Sequence, residues 1–472
     1  MERRGSTVSE TSSKLRSGQL KPLNLLIMAL AIVGPGAGAF FNLSTLGAVA
    51  GPAMVLSVVL SLVAALFLAN TVAQFAGRVS SAGMFYTFVS QGLGPKLGFL
   101  AGWILMADYG VTTAFALVFP SDQVSSFLLQ TFHFNLPWWG IFILALGAVF
   151  WLSVRGIRPS LRTDMIFLIF ELGALLLLSL TVLFKLGPAH WSAVPFQVPH
   201  TGFSTVGIAW VLGITAFLGF EGAVTASEES VDPRRALPKV MFGAVIIAGI
   251  FFVITSYAGV LGFGVAMKGI ATNPLPWNTV ADHFWGNGLG IFVDIGAWVS
   301  MFAVGIASQN AAARLWFAMG REEVLPKALG AVKTERAIPL TALNLQAGLT
   351  LVVGLGLGLL LGPFPSFLFM ATMLTLGALI VWILAGISLI RFMRTKYRSE
   401  FRTFPHLIVP IISILVVLPP MYSTVWPEPP PPLNIAIYVV AGWIIVGLLL
   451  LWRLSANSPA VLQRAGSLLV EE

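Results

Sequence analysis

The residues able to do chemistry lie at two glycine-rich interruptions of apolar runs and at a few acids beside them. The first interruption is Val33-Gly34-Pro35-Gly36-Ala37-Gly38, in the middle of an apolar run from Pro22 to about Val49. A helix crossing lipid cannot leave backbone groups unpaired unless protein or a cavity satisfies them. Three glycines and a proline weaken the hydrogen-bond ladder at the point where lipid most needs it intact. The stretch is either a broken helix whose freed amides and carbonyls bind something small, or a close helix–helix contact through small residues. The second is Gly213-Ile214-Thr215-Ala216-Phe217-Leu218-Gly219-Phe220-Glu221-Gly222, again mid-run and beside a carboxylate. A half-helix N-terminus offers amides and a positive dipole end to a carboxylate, and adjoining free carbonyls suit an ammonium. Together they would recognise a zwitterion without a charged side chain.

Glu221 is a functional candidate because a carboxylate at membrane depth costs several kcal/mol unless paired, solvated or protonated. The bland alternative is a protonated carboxyl bonded to a neighbouring carbonyl. Asp108 lies deep in another run, four residues from Thr112 and so on one helical face with it. That face either lines a site and meets a cationic group or makes a helix–helix hydrogen bond. Glu171 and Asp294 read as structural acids. Ser308, Gln309 and Asn310 form a polar knot in an otherwise apolar run. Glu228, Glu229, Asp232, Arg234 and Arg235 read first as a solvated loop cluster and second as an inner gate. Gly354, Gly356 and Gly358 read as a packing surface, and the proline-rich stretch after Trp426 as a stiff external loop.

The 472-residue chain that positions these groups is 57% hydrophobic and 10% charged, far below the ~25% charge of soluble proteins, so it reads as an integral membrane protein. No cleavable signal pattern opens it. The absence of cysteine excludes disulfides, iron–sulfur clusters and thiolate metal sites. Residues 1–20 read as a disordered tail, 21–455 as one transmembrane domain, and 456–472 as a second tail. Twelve spans are expected, at about 22–47, 51–77, 97–128, 137–154, 161–186, 203–229, 237–266, 288–319, 340–361, 364–392, 405–426 and 433–454. With the N-terminus inside, every Lys and Arg except Lys185 and Lys268 falls on the cytoplasmic side, and the C-terminus is cytoplasmic too. This distribution accounts for the +8 net charge without a nucleic-acid partner. Interruptions in spans 1 and 6 point to an all-α 5+5 inverted repeat, about 22–186 and 203–392, with broken helices 1 and 6 and two extra helices.

In this order and spacing the chain resembles the amino acid–polyamine–organocation permeases, whose helices follow the leucine-transporter fold. The resemblance runs from about Leu20 to Arg402. It rests on Gly36–Phe40, Ala50-Gly51-Pro52, Ser81–Tyr86, Leu93-Gly94, Gly102-Trp103, Gly219-Phe220-Glu221, Ser227-Glu228-Glu229, Asp232-Pro233, Leu237-Pro238, Asn310–Arg314, Met319–Glu322, Leu325-Pro326 and Ile338-Pro339. The chain departs from the family at Gln74, where an acid is usual, and near Thr215, where some exchangers carry a closing aromatic.

The resemblance implies a secondary transporter at the cytoplasmic membrane, moving amino acids by alternating access, with a polyamine or other organic amine as the alternative cargo. It implies that Glu221 serves gating or proton coupling, and that Ser308 occupies a span whose hydroxyls help hold an ion in sodium-coupled relatives. The substrate site is expected from Val33 to Gly38, Asp108, Thr112, Thr215 to Gly219, and Ser308. Transport is expected to be proton-coupled or by exchange, with a proton favoured over sodium as the coupling ion. Lipid and a small-molecule substrate are the expected partners, with no cofactor, metal or nucleic acid.

A membrane-embedded enzyme is the rival class. It would need ligands or a nucleophile gathered at one depth, whereas all five histidines lie in loops or at span ends. Gly34-x-Gly36-x-Gly38 has no preceding strand and is no dinucleotide fingerprint. A channel filter and a parallel six-plus-six repeat are likewise absent from the pattern.

Overall fold

The computed structural model describes residue 15 and residues 17–200, 202–273, 275–332, 338–426 and 428–466. Most of the expected N-terminal tail, Pro427, and the last six residues lie outside these. The helices are α1 (Pro22–Val33), α2 (Pro35–Phe41), α3 (Gly47–Ala50), α4 (Met54–Ala76), α5 (Phe85–Leu93), α6 (Pro95–Phe132), α7 (Trp138–Val154), α8 (Ile157–Leu186) and α9 (Ser204–Thr215). They continue with α10 (Pro233–Phe263), α11 (Pro276–Phe284), α12 (Ile291–Arg321), α13 (Leu340–Leu361), α14 (Pro363–Thr395), α15 (Val409–Val425), α16 (Leu433–Asn457) and α17 (Pro459–Arg464). Among the described residues no named strand occurs; the nearest is an isolated parallel bridge, Leu20 to Ser230.

Ten segments are long and apolar enough to cross a membrane, and α7 is a shorter apolar helix. The protein is therefore a multi-pass membrane protein. The first segment, Pro22–Ala76, has 55 residues, far more than the ~20 that one crossing needs. It is divided at Gly51, whose φ of 55° lies in the left-handed half of backbone space. Three short helices have no counterpart among the expected spans: α5, α11 and α17.

The centre of the bundle is built where α1 packs on α10, α8, α12 and the 3₁₀ segment Phe220–Glu229. Outside it, α6 runs against α12, α14 and α13, while α15 packs on α14 and α4, and α16 packs on both α14 and α6. The outermost contact is reciprocal. Trp103 of α6 and Trp443 of α16 stack at 4.4 Å, and each indole donates to the other's carbonyl at 2.8 Å. Gly447 makes room for this pair, because a Cβ there would overlap the Trp103 ring. Gly447→Val is expected to lower the thermal unfolding midpoint in detergent by several degrees. Gly442→Val, whose Cβ would meet nothing within 4 Å, should leave it unchanged.

Candidate functional site

Both interruptions are real breaks. α1 ends at Gly34, with φ 62° and ψ 62°, and α2 starts at Pro35. The i+4 donors of three carbonyls are thereby lost. Pro35, which would serve Ala31, has no N–H. The amides that would serve Ile32 and Val33 turn elsewhere: Gly36 N–H donates to Glu171 Oε2 at 3.3 Å, and Ala37 N–H to Ser300 Oγ at 3.1 Å. The Gly38 amide returns to the Gly34 carbonyl at 2.9 Å. Such carbonyls, at a helix C-terminus and mid-membrane, suit a cation or ammonium.

The second break follows α9. The Ala216, Phe217 and Leu218 amides close 3₁₀-type turns onto Gly213, Ile214 and Thr215. Gly219 then reverses the backbone at φ 106°, and its amide donates to Glu221 Oε2 at 3.0 Å. Each break is thus capped by one buried carboxyl: Glu171 on the first, Glu221 on the second.

The two breaks meet. A Cβ on Gly219 would lie 2.6 Å from Ile32 Cγ2 and 3.2 Å from its carbonyl oxygen. A Cβ on Gly222 would overlap Ile32 and come within 3.0 Å of the Tyr109 hydroxyl. Phe252 of α10 stands between them, edge-on to Phe217 with ring centres 5.2 Å apart and across the face of Gly38. Val33, Ala37, Gly38, Thr215, Ala216, Leu218 and Gly219 are half-buried, while Gly34, Pro35, Gly36 and Phe217 are buried.

The other expected site residues are placed differently. Thr112 donates to the Asp108 backbone carbonyl at 2.8 Å and does not engage the carboxyl. Asp108 lines a small cavity with Ile104, Gly377 and Trp443, so its side chain faces α14 and α16, within electrostatic reach of Glu221. The residue of that helix at the break is its neighbour, Tyr109. Ser308 pairs with Thr113 at 3.1 Å and with the Gly305 carbonyl at 3.3 Å, away from α1. The hydroxyl of α12 that faces the first break is Ser300, two turns earlier. Thr215 bonds back to Leu212 at 2.6 Å. Sequence reasoning also missed Gln346, which reaches Tyr109, Gly110, Thr113 and Trp316 and so joins α6, α12 and α13.

At the end of the bundle where the N-terminal segment lies, ion pairs tie the foot of the second broken segment to α12. Glu229 meets Arg314 at 2.6 Å with both side chains buried, and Arg314 also donates to the Asn310 carbonyl at 2.9 Å. Glu228 takes Arg321 bidentately at 2.7 and 2.8 Å and accepts the Ala82 amide at 3.0 Å. The first reading of Glu228 and Glu229 as solvated loop acids is therefore corrected: the helix-end geometry buries them against α12. Of that cluster, Asp232 alone caps a helix, accepting from the Arg235 amide at 3.3 Å. Beyond these pairs, the Tyr86 hydroxyl donates to Glu322, which also accepts the Gly466 amide at 2.6 Å. Burial and the Glu322 carboxylate push the Tyr86 hydroxyl well above its ordinary value, so it stays a proton donor across the physiological range.

An all-helical membrane bundle with two interrupted segments meeting at its centre is a transporter architecture. The chain belongs to the amino acid permease family, whose profile matches residues 20–450. It is 28% identical over 459 residues to the branched-chain amino acid permease BcaP of Bacillus subtilis strain 168, covering 92% of this chain and 90% of the relative. It is 26% identical over 461 residues to the methylthioribose transporter of the same organism, covering 93% and 94%. With the low-affinity putrescine importer PlaP of Escherichia coli K12 it shares 26% over 377 residues, covering 76% and 78%. Among solved structures, the Eremococcus coleocola manganese transporter, crystallised with an aromatic bis-isothiourea compound, superposes with a TM-score of 0.55 over 98% of this chain and all of that one. At 14% identity that likeness concerns the fold alone. The protein is a permease that carries a small molecule, and not an enzyme.

Glu229→Gln leaves Arg314 buried without its counter-charge, a loss of about 3–5 kcal/mol. The expected result is a lower unfolding midpoint together with faster maleimide labelling of a single cysteine placed at Thr215. The labelling background is clean because the chain has no cysteine.

Proposed function

We propose that this permease is a twelve-span secondary transporter of amino acids, working by alternating access in the cytoplasmic membrane with both termini inside. The ten apolar segments, with the first folded in two at Gly51 and α7 added, make twelve crossings. The first ten form a 5+5 inverted repeat whose broken members are α1–α2 and α9 with its 3₁₀ continuation. The observation that carries the reading is the contact of Gly219 with Ile32, which sets the freed carbonyls of Ala31 to Val33 beside the second break.

Substrate sits at that crossing. The α1 and second-break carbonyls take its ammonium, and the amides of the α2 start take its carboxylate. Val33 to Gly38 and Thr215 to Gly219 line the position, while Asp108, Thr112 and Ser308 act from the surrounding walls. Glu221 holds the Gly219 amide and serves gating and proton coupling. The Glu228–Arg321 and Glu229–Arg314 pairs form the closed cytoplasmic gate, matching the side to which lysine and arginine placement assigns that end.

A second reading, an organic amine as cargo, is favoured by the acids Asp108, Glu171 and Glu221 on helices that line the site, with no basic side chain at either break. A thermal-shift screen of the purified protein against amino acids and amines separates the two, since a ligand that binds only the folded state raises its stability. Stabilisation by amines alone would overturn the amino acid assignment.

Gly36→Val puts a branched side chain where even a Cβ would lie 2.6 Å from Glu171 Oε2, and Gly219→Val strains a left-handed residue. Both are expected to abolish uptake while the protein still inserts. Glu221→Gln is expected to flatten the pH profile of uptake rate at saturating substrate, where the wild type quickens as external pH falls.

A further inference from the structure

Residues 456–472 read from sequence as a tail, yet the stretch that follows α16 folds back onto the bundle. There α17 packs on α6, and Leu462 and Ala465 are buried. Gly466 then enters a seat between α5 and the end of α12. Its amide donates to Glu322 Oε2 at 2.6 Å, and its carbonyl accepts from Gln91 Nε2 at 2.8 Å. Gln91 is aimed by Lys396 of α14, which donates to its Oε1 at 2.6 Å. The seat fits glycine: φ is 70°, and a Cβ would lie 2.4 Å from Ser90 Cβ and 3.2 Å from Thr87 Cα.

This seat is built on the residues next to the inner ion pairs. Arg321, Glu322 and Glu323 are consecutive at the end of α12. Arg321 reaches Glu228 of the second broken segment. Glu322 accepts the Gly466 amide and the Tyr86 hydroxyl. Glu323, held in left-handed backbone at φ 63°, meets Lys327 at 3.0 Å and Arg464 at 3.9 Å. Glu228 in turn accepts the amide of Ala82, in the loop that leads into α5. Residues 464–466 therefore grip the two positions that directly follow the arginine of the ion pair. The Glu322 carboxyl is buried, so withdrawing Gly466 strips a donor from it, and the last turn of α12 must shift to restore one.

We propose that residues 459–466 form an autoinhibitory strap on the cytoplasmic gate. Seated, the strap holds the last turn of α12 where Arg321 meets Glu228, and its release lets the foot of the second broken segment part from α12. Inward opening is thereby tied to a segment outside the transmembrane bundle, which anything that binds or removes the strap would set free. The inference rests on the gate proposed above and is independent of which small molecule is carried.

The test uses the full-length protein in inside-out membrane vesicles with a membrane-impermeant maleimide, since the chain has no cysteine of its own. A cysteine at Ala465 reports whether the strap is seated, and one at the buried Ser227, beside Glu228, reports whether the gate is open. Both should label slowly in the otherwise unchanged protein, against fast labelling at the exposed Gln463. Gly466→Val, which drives a side chain into Ser90, and Gln91→Ala, which removes one anchor, should each speed labelling at both positions about fivefold, the population change expected for one lost hydrogen bond. Gln463→Ala should change neither. Leu462→Cys repeats the seating readout if a sulfur at Ala465 itself crowds the seat. Faster labelling at Ala465 with no change at Ser227 overturns the strap's hold on the gate. Labelling at Ala465 and Leu462 as fast as at Gln463 in the otherwise unchanged protein overturns the seat. Arg321→Gln separates the two readings: if it opens Ser227 and strap release does not, the strap alone falls, and if it leaves Ser227 closed, the gate and the strap fall together.

Discussion

A backbone amide freed inside a bilayer has no water to turn to, and this structure depends on how that demand is met. Breaking a helix at Gly34 orphans the amides of Gly36 and Ala37, and breaking another at Gly219 orphans that residue's own amide. In each case side chains supply the acceptor: Glu171 and Ser300 at one break, Glu221 at the other. The glycines are thus as much about approach as about backbone freedom, since Gly36 has to admit a carboxyl that a Cβ would exclude. The carbonyls on the opposite lip of the first break keep no helical donor, which leaves the site biased toward positive groups.

The ion-paired end follows the same logic with full charges. Two glutamates at the foot of the second broken segment are buried, and each meets an arginine of α12. Buried pairs of this kind add little net stability, but removing one partner is costly. Separating either pair would leave two buried charges to be hydrated, which holds the foot of the second broken segment against α12.

The helices were legible in the sequence because hydropathy and glycine placement are strong signals in a membrane protein. The expected run 340–361 is α13 itself, and the interruptions at Gly34 and Gly219 fall where the backbone turns left-handed. What sequence could not give was azimuth, the direction in which a side chain leaves its helix. Glu171 read as structural because nothing in its own run says that Gly36 lies opposite. Ser308 drew attention over Ser300, yet the two differ by about two turns and roughly 80° of rotation on one helix, enough to face α6 or the break. Asp108 and Tyr109 are adjacent, and only the second reaches Gly222. The short helices α5, α11 and α17 escaped notice because nine residues or fewer carry little periodic signal.

The parallel bridge between Leu20 and Ser230 has a mechanical meaning. The Gln19 and Leu20 amides both donate to the Glu229 carbonyl, at 2.8 and 2.9 Å, and Val231 returns a bond to Leu20 at 3.0 Å. This zips the entry of α1 to the exit of the second broken segment, which are also in contact at Ile32 and Gly219. Two points of attachment, one mid-bundle and one at the foot, leave the interrupted segments little freedom to slide or hinge independently. Any displacement of one segment must carry the other with it or break the hydrogen bonds of the bridge.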